Sequence, residues 1–326
     1  MKRAGTSILV LALWVTAAVS AAAVPLTVLT YNLGLLSFLG YEFVPTVRER
    51  AEAAPAELAR FASERTPDIM VLEEVWKNRT AVAVTEALEP LGYTVVRPRG
   101  FTVVGQRSGL LVAVKRPLRV ASWSFSAFRK STFIDSLGRK GVLRAEIENA
   151  DTGTRFVLLA THTVALDTDR GTPVDQKQVD ALASQLQHVL VVLEQASASG
   201  GLPALLVGDL NVGPGYGDAS YRLVADAPGL KEAGAAAAAG ESRVTWDPGN
   251  PLVSFGRYPN EPASKIDHVF FRDGGAWHWT ASGVEVVFAA TVDGLSLVPS
   301  KGAAPVPTPL SDHYGLLATL ELAPSR

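Results

Sequence analysis

The 326-residue chain contains no cysteine. Its fold therefore rests on core burial without disulfide staples, which a domain of about 300 residues can sustain. A surplus of charge of either sign is missing too: 30 Lys and Arg stand against 32 Asp and Glu, a net −2. That balance gives no support for strong nucleic-acid binding, although it is compatible with a local basic groove. Beyond the N-terminal region no apolar run is long enough to span a bilayer. Cofactor-type glycine loops are absent. No serine sits on a G-x-S-x-G elbow, which sets aside the Ser-His-Asp hydrolases.

What remains is an ordinary globular composition, 48% hydrophobic and 19% charged. Residues 1–23 read as a signal peptide. Lys2 and Arg3 form a basic start, Ile8 to Ala18 is apolar, and Ala21-Ala22-Ala23 offers small residues for cleavage. The competing reading is an uncleaved membrane anchor. Cleavage would leave 28 basic against 32 acidic residues, a charge of −4 on a secreted chain, periplasmic or extracellular. Length alone allows one large domain or two small ones. Residues 24–326 carry no repeat and no linker that would split them, so a single domain is expected.

The chain is organised around Gly208-Asp209-Leu210-Asn211, which follows the apolar run Leu202 to Val207. A short buried strand ending in turn residues delivers its last side chains to the rim of a sheet. Similar strand ends recur. Leu26 to Asn32 stops at an asparagine, and residues 69–72 lead into Glu73-Glu74. Residues 109–114, 142–148 and 155–161 read as strands, the last ending at His162. Further strands are expected at 266–271, 283–289 and 314–322, and helices at 48–63 and 174–196. Pro55 is expected to kink or restart the first helix. The Ala-rich stretch 234–240 reads as a surface insert. Strands dominate, which favours two packed sheets with flanking helices.

Eight polar residues collect at these strand ends: Asn32, Glu74, His162, Asp209, Asn211, Asp267, Asp312 and His313. Singly, each has a plain explanation as a turn, a cap or a surface group. Together they recur at one kind of structural place. Tyr31-Asn32, Leu72-Glu73-Glu74-Val75, Thr161-His162, Gly208-Asp209-Leu210-Asn211, Ile266-Asp267-His268 and Ser311-Asp312-His313 resemble, in order, the signatures of the endonuclease/exonuclease/phosphatase superfamily. The resemblance implies a four-layer α/β sandwich of two mixed sheets flanked by helices. The runs Asp135 to Leu143, Thr245 to Leu252 and Arg257 to Pro262 look more like its neutral sphingomyelinase branch. Members that enter membranes through an aromatic hairpin carry it just before Ser-Asp-His. Here Leu295 to Pro309 holds no aromatic residue, although Trp277 and Trp279 lie earlier.

On that resemblance, phosphodiester hydrolysis distributes the roles. Glu74 is expected to hold Mg²⁺, with Asn32 completing the site and Asp312 binding metal or supporting it. His313 is the expected general base, neutral at pH 7 on the ordinary histidine value of about 6.5, and Asp267 its orienting partner. His162 and Asn211 are expected to donate to non-bridging oxygens. Asp209 is left between a second ion and assistance to the leaving group. Lys140 and Asp135 are candidates for binding substrate, the alternative being a solvated hairpin. The loop from Leu33 to Val44 has seven large apolar residues; either it folds back and buries them on the adjacent helix, or Phe38, Leu39 and Tyr41 meet a lipid at the rim. The function implied is a secreted Mg²⁺-dependent phosphodiesterase acting on sphingomyelin or a related phospholipid at a membrane surface. A secreted nuclease and a non-catalytic binding protein on the same scaffold are the alternatives. Nucleic acid is the less favoured substrate, and no protein partner is implied.

Overall fold

Alternating side chains build the molecule in layers. The computed structural model describes residues 23–100, 107–132, 138–166, 174–198, 201–234 and 243–325. Residues 1–22 of the expected signal peptide, Asp135 and most of the alanine-rich insert lie outside them. In chain order, β1 (Val24–Asn32) is followed by the hairpin of β2 (Ser37–Phe38) and β3 (Tyr41–Glu42). Helix α1 (Val47–Arg65) leads to β4 (Ile69–Glu73), and α2 (Asn78–Leu88) to β5 (Tyr93–Val96) and β6 (Leu111–Lys115). Next come β7 (Leu118–Ala127), β8 (Gly141–Asn149), β9 (Arg155–His162), α3 (Gln176–Ala198) and β10 (Ala204–Asp209). Then follow α4 (Asp218–Ala225), β11 (Leu230–Glu232), the short α5 (Pro251–Ser254), β12 (Asp267–Arg272) and β13 (Trp277–Val287). A small ladder of β14 (Ser296–Leu297) and β15 (Val306–Pro307) precedes β16 (Gly315–Pro324).

Two six-stranded sheets result, ordered β13-β16-β1-β4-β6-β5 and β11-β12-β10-β9-β8-β7. Along β1, Leu26 and Val28 face the second sheet while Leu29 and Tyr31 face the helices. Along β10, Leu205 and Val207 meet the first sheet while Leu206 turns to α3. Central strands apolar on both faces are what a sheet covered on both sides requires. The layers run α1 and α2, first sheet, second sheet, α3 and α4, the expected four-layer α/β sandwich.

Topology brings the site to one rim. β1 and β4 are parallel, as are β9 and β10, while β16 and β12 run antiparallel to β1 and β10. The last residues of the four parallel strands therefore lie beside the first residues of β12 and β16. Asn32, Glu74, His162 and Asp209 come from the former, and Asp267 and His313 from the latter. Gly208 serves this pairing: a Cβ there would lie 1.9 Å from the Thr161 carbonyl oxygen.

Two expectations differ from the structure, and α2, β5, β7 and α4 are among the elements that were not expected. Pro55 does not interrupt α1, because Ala54, Leu58 and Phe61 bury the helix on the first sheet and packing outweighs one lost hydrogen bond. The expected strand at 283–289 begins earlier, at Trp277, and Trp279 is buried between the sheets rather than offered to a membrane. Of the unexpected elements, β7 is an edge strand, largely outside the core, with a serine-rich sequence.

Candidate active site

Each site residue is set by the strand it ends. Glu73 continues the inward parity of Ile69 and Val71 and is fully buried, with Thr30 Oγ1 donating to its Oε1 at 2.9 Å. Burial, and then the charges of Asp267 and Asp209, push its carboxyl well above the usual range. Glu74 would point outward on a continuing strand. Its backbone instead turns left-handed, φ +57°, and its carboxylate lines the pocket. That conformation costs a non-glycine residue about 1–2 kcal/mol and is the kind of strain kept at functional sites. Asn211 is the second such residue, φ +52°.

Asn32 links the two sheets. Its Nδ2 donates to Asp209 Oδ2 at 2.8 Å and lies 3.4 Å from Glu74 Oε1. Its Oδ1 accepts the Gly34 N–H at 2.9 Å, so the oxygen expected to meet a metal is turned to the backbone. Gly34 has to be glycine: φ is +56° and a Cβ would lie 2.1 Å from Asp312 Oδ1. Asp209 Oδ1 accepts from Asn211 N at 2.8 Å. Burial, and then Asp267, push the Asp209 carboxyl up to about 7, against the lowering effects of His313, Asn32 and Asn211.

His313 Nδ1 lies 3.0 Å from Asp267 Oδ2, and its Nε2 lies 3.9 Å from Asp209 Oδ2. Thr245 Oγ1 accepts the N–H groups of Ile266 and Asp267, at 3.1 and 3.2 Å, and fixes the start of β12. Asn250 donates to the carbonyls of Ser311 and Asp312, at 2.9 and 3.2 Å, and fixes the approach to β16. The expectation of a neutral imidazole is corrected here. Burial alone would lower the His313 pKa, but Asp267, with Asp209 and Asp312 behind it, outweighs burial and raises it well above the ordinary value.

His162 Nε2 faces Lys140 Nζ at 3.0 Å and Asp209 Oδ2 at 3.5 Å. Burial, then Lys140 and His313, keep this ring neutral. An ammonium at Lys140 donates to Nε2, which is the reverse of the donor role expected of His162. Its Nδ1 is buried without a partner. Asn211 commits Nδ2 to the Thr163 carbonyl at 3.0 Å, so only its second N–H can serve as the expected donor. Asp312 lines the pocket and accepts from Ser311 Oγ at 3.1 Å. Phe38 and Tyr41 do not line it. The loop residues that do are Leu36, Phe43 and Val44, because the β2–β3 hairpin carries the other two outward. Asp135 lies outside the described residues.

The oxygen-rich floor fits a hard cation. Glu74 and Asp209 are both pushed toward protonation chiefly by burial, as carboxylates are when no positive charge compensates them. Asp209, Asp267 and His313 bring ligand-capable atoms within 4.8 Å of one another. This is a different grouping from the expected Glu74, Asn32 and Asp312, and the Asp267–His313 hydrogen bond accounts for its closeness. Arg50 was not singled out from the sequence. Fully buried, it donates to the carbonyls of Leu33 (2.7 Å), Gly34 (2.6 Å), Pro45 (3.0 Å) and Leu310 (3.2 Å), holding the segments that carry Asn32 and Asp312.

A family model described as the Endonuclease/Exonuclease/phosphatase family matches residues 29–313. The chain belongs to this family. It is a metal-dependent phosphodiester hydrolase. Three solved structures set the fold among its relatives. Sphingomyelinase C from Streptomyces griseocarneus gives a TM-score of 0.65 at 22% identity, covering 90% of this chain and 99% of that one. Beta toxin from Staphylococcus aureus gives 0.68 at 18% identity, with 90% and 99% covered. D. rerio TDP2, complexed with single strand DNA product, gives 0.63 at 17% identity, with 91% and 98% covered. At such identities the likeness is one of fold. By sequence, no curated protein matches the chain.

Proposed function

We propose that the chain is a secreted, Mg²⁺-dependent phosphodiesterase of phospholipase C type, releasing a phosphorylated headgroup from sphingomyelin or a related phospholipid. The observation that carries this reading is the wall of the pocket. Leu36, Phe43, Trp76, Trp246, Leu252 and Tyr258 surround the buried carboxylates, and Lys140 and Arg257 are the Lys and Arg side chains among the described lining residues. A nucleic-acid strand needs a succession of cations for successive phosphates. One phosphodiester joined to an acyl-bearing backbone needs a polar floor and apolar walls. The similarity to Sphingomyelinase C supports the same reading, although the TDP2 fold is nearly as similar. Secretion rests on the N-terminal sequence pattern.

Glu74 and Asp312 would hold the ion, with Asn32 donating to the neighbouring carboxylates. A bound Mg²⁺ supplies polarisation of the phosphoryl oxygen and offsets the negative field that keeps His313 protonated. Asp267 holds His313 Nδ1, which leaves Nε2 to take the proton of the attacking water as that water bonds to phosphorus. Asp209, its carboxyl raised by burial and by Asp267, is the candidate to pass a proton to the ester oxygen as the bond to phosphorus breaks. This favours leaving-group assistance over a second ion. Lys140, a buried cation of the pocket held by His162 and the Thr163 carbonyl, would meet the phosphoryl oxygens.

The decisive assay presents sphingomyelin liposomes, phosphatidylcholine liposomes and plasmid DNA, each with Mg²⁺ and with chelator. Headgroup release that requires the metal, with DNA left intact, is expected. DNA cleavage beside inert liposomes would overturn the reading.

A further inference from the structure

The hairpin that leaves the rim beside Asn32 carries a residue that both backbone and water disfavour. β2 and β3 are joined by Leu39 and Gly40, with φ of +48° and +82°. A two-residue turn with positive φ at both positions takes Asn-Gly or Asp-Gly by preference. Here leucine holds the first position, and its side chain is 90% exposed, with Tyr41 beside it 60% exposed. Left-handed strain and hydration both oppose leucine there. The tip is also held in place. The Glu42 carboxylate accepts the N–H groups of Val47 at 3.0 Å and Arg48 at 3.2 Å, fastening the hairpin to the start of α1.

A surface cleft runs alongside, lined among others by Leu39, Arg48, Lys77 and Arg79. Arg97 adds a cation nearby, donating to Asn78 Oδ1 at 2.9 Å. The one acid among the described lining residues is Glu42, already engaged at the helix, and Arg48 pairs with Glu52 beside the cleft at 3.2 Å, which leaves Lys77 and Arg79 to carry the charge. This local excess of positive charge stands against a chain of net −2. Phe43 and Trp76 line the active-site pocket while their chain neighbours Glu42 and Lys77 line the cleft, so the cleft lies beside the active-site rim.

We propose that the Leu39–Gly40 hairpin together with Lys77 and Arg79 forms an anchor for anionic lipid surfaces. Leu39 enters the boundary between headgroups and acyl chains, and the cations lie against headgroup phosphates. The proposal rests on the phospholipid reading of the pocket. A nucleic-acid strand would match the cations but gains nothing from an aliphatic tip, and that favours the lipid.

The test uses the full chain with vesicles of phosphatidylcholine alone and of phosphatidylcholine mixed with phosphatidylglycerol, at low and high salt. Hydrolysis of a short soluble phosphodiester is followed alongside. The wild type should bind the anionic vesicles at least about tenfold more tightly, an advantage that salt removes. Leu39→Asn suits the turn better than leucine, so thermal stability should hold. Its vesicle binding should fall about tenfold, with hydrolysis of the soluble diester unchanged. Lys77→Gln with Arg79→Gln should weaken binding to anionic vesicles by about thirtyfold, roughly fivefold for each charge, and leave neutral vesicles unaffected. Equal binding to both vesicles, or a Leu39→Asn protein that binds like wild type, overturns the anchor. So does capture of an oligonucleotide through Lys77 and Arg79 with Leu39→Asn indifferent. If the wild type binds in the expected pattern but releases headgroup from neither vesicle, nor from sphingomyelin, the phospholipid reading fails and the anchor stands.

Discussion

His313 and Asp267 share one hydrogen bond at 3.0 Å, and their contributions to turnover should be shared as well. His313→Ala should cost about a hundredfold in kcat, the scale of a positioned proton transfer. Asp267→Asn should cost less and leave KM nearly unchanged. The double variant should be little worse than His313→Ala alone, and steady-state kinetics on the three proteins checks this. Glu73 gives a prediction of another kind. Its carboxyl is held protonated by burial, whereas the unfolded chain ionises it, so native stability drains away as pH rises above the unfolded value of about 4.3. Glu73→Gln keeps the bond from Thr30 and removes that dependence. Urea unfolding at about pH 5 and about pH 8 should show a smaller loss in the variant than in the wild type. From sequence, Glu73 and Glu74 are equivalent acids at a strand end. Only the left-handed turn at Glu74 tells them apart, and nothing in the residue type announces it.

At the scale of elements, β12 is tied down behind the site by ions. Glu232 on β11 lies 2.5 Å from His268 Nδ1, contacts Lys265 Nζ, and accepts from Tyr221 at 2.7 Å. Burial opposes the Glu232 charge, but His268 and Lys265 outweigh it and bring the carboxyl down to about 2. A depressed carboxyl stabilises the fold above its unfolded value, and the gain is lost as pH falls toward about 2. Glu232→Gln should therefore cost about 3 kcal/mol at neutral pH, and the difference from wild type should shrink on acidification. Thermal unfolding against pH measures both. Legibility was uneven at this scale. β1, β4, β9 and β10 could be read because strands buried on both faces are apolar throughout. β7 could not, because an edge strand in water needs no apolar run. Arg50 was invisible for a different reason: its partners are backbone carbonyls, one of them 260 residues away, and a carbonyl leaves no mark in sequence.

For the whole molecule, the site is a seam. Asn32, Glu74 and His313 belong to one sheet, and His162, Asp209 and Asp267 to the other, with buried carboxylates on both sides of it. A divalent cation bound there should stabilise both sheets at once. Free Mg²⁺ at about a hundred times its Kd adds about 2.7 kcal/mol, a rise of several degrees in Tm. Glu74→Gln should abolish the rise, and chelator should return the wild type to its metal-free Tm. A Glu74→Gln protein that still responds to Mg²⁺ would place the ion elsewhere. With no cysteine in the chain, reductant should leave every one of these temperatures unchanged.

The pairing of β1 with β16 also sets how the protein can be tethered. Val24 lies opposite Leu322, so the first and last strands begin and end together. Both do so at the pole away from Asn32, and the nine residues of β1 separate the two poles by about 30 Å. Anything joined to Val24 or beyond Pro324 therefore leaves from the back of the molecule. A tag or surface linker fused at either of these ends would leave the mouth and the Leu39 tip clear.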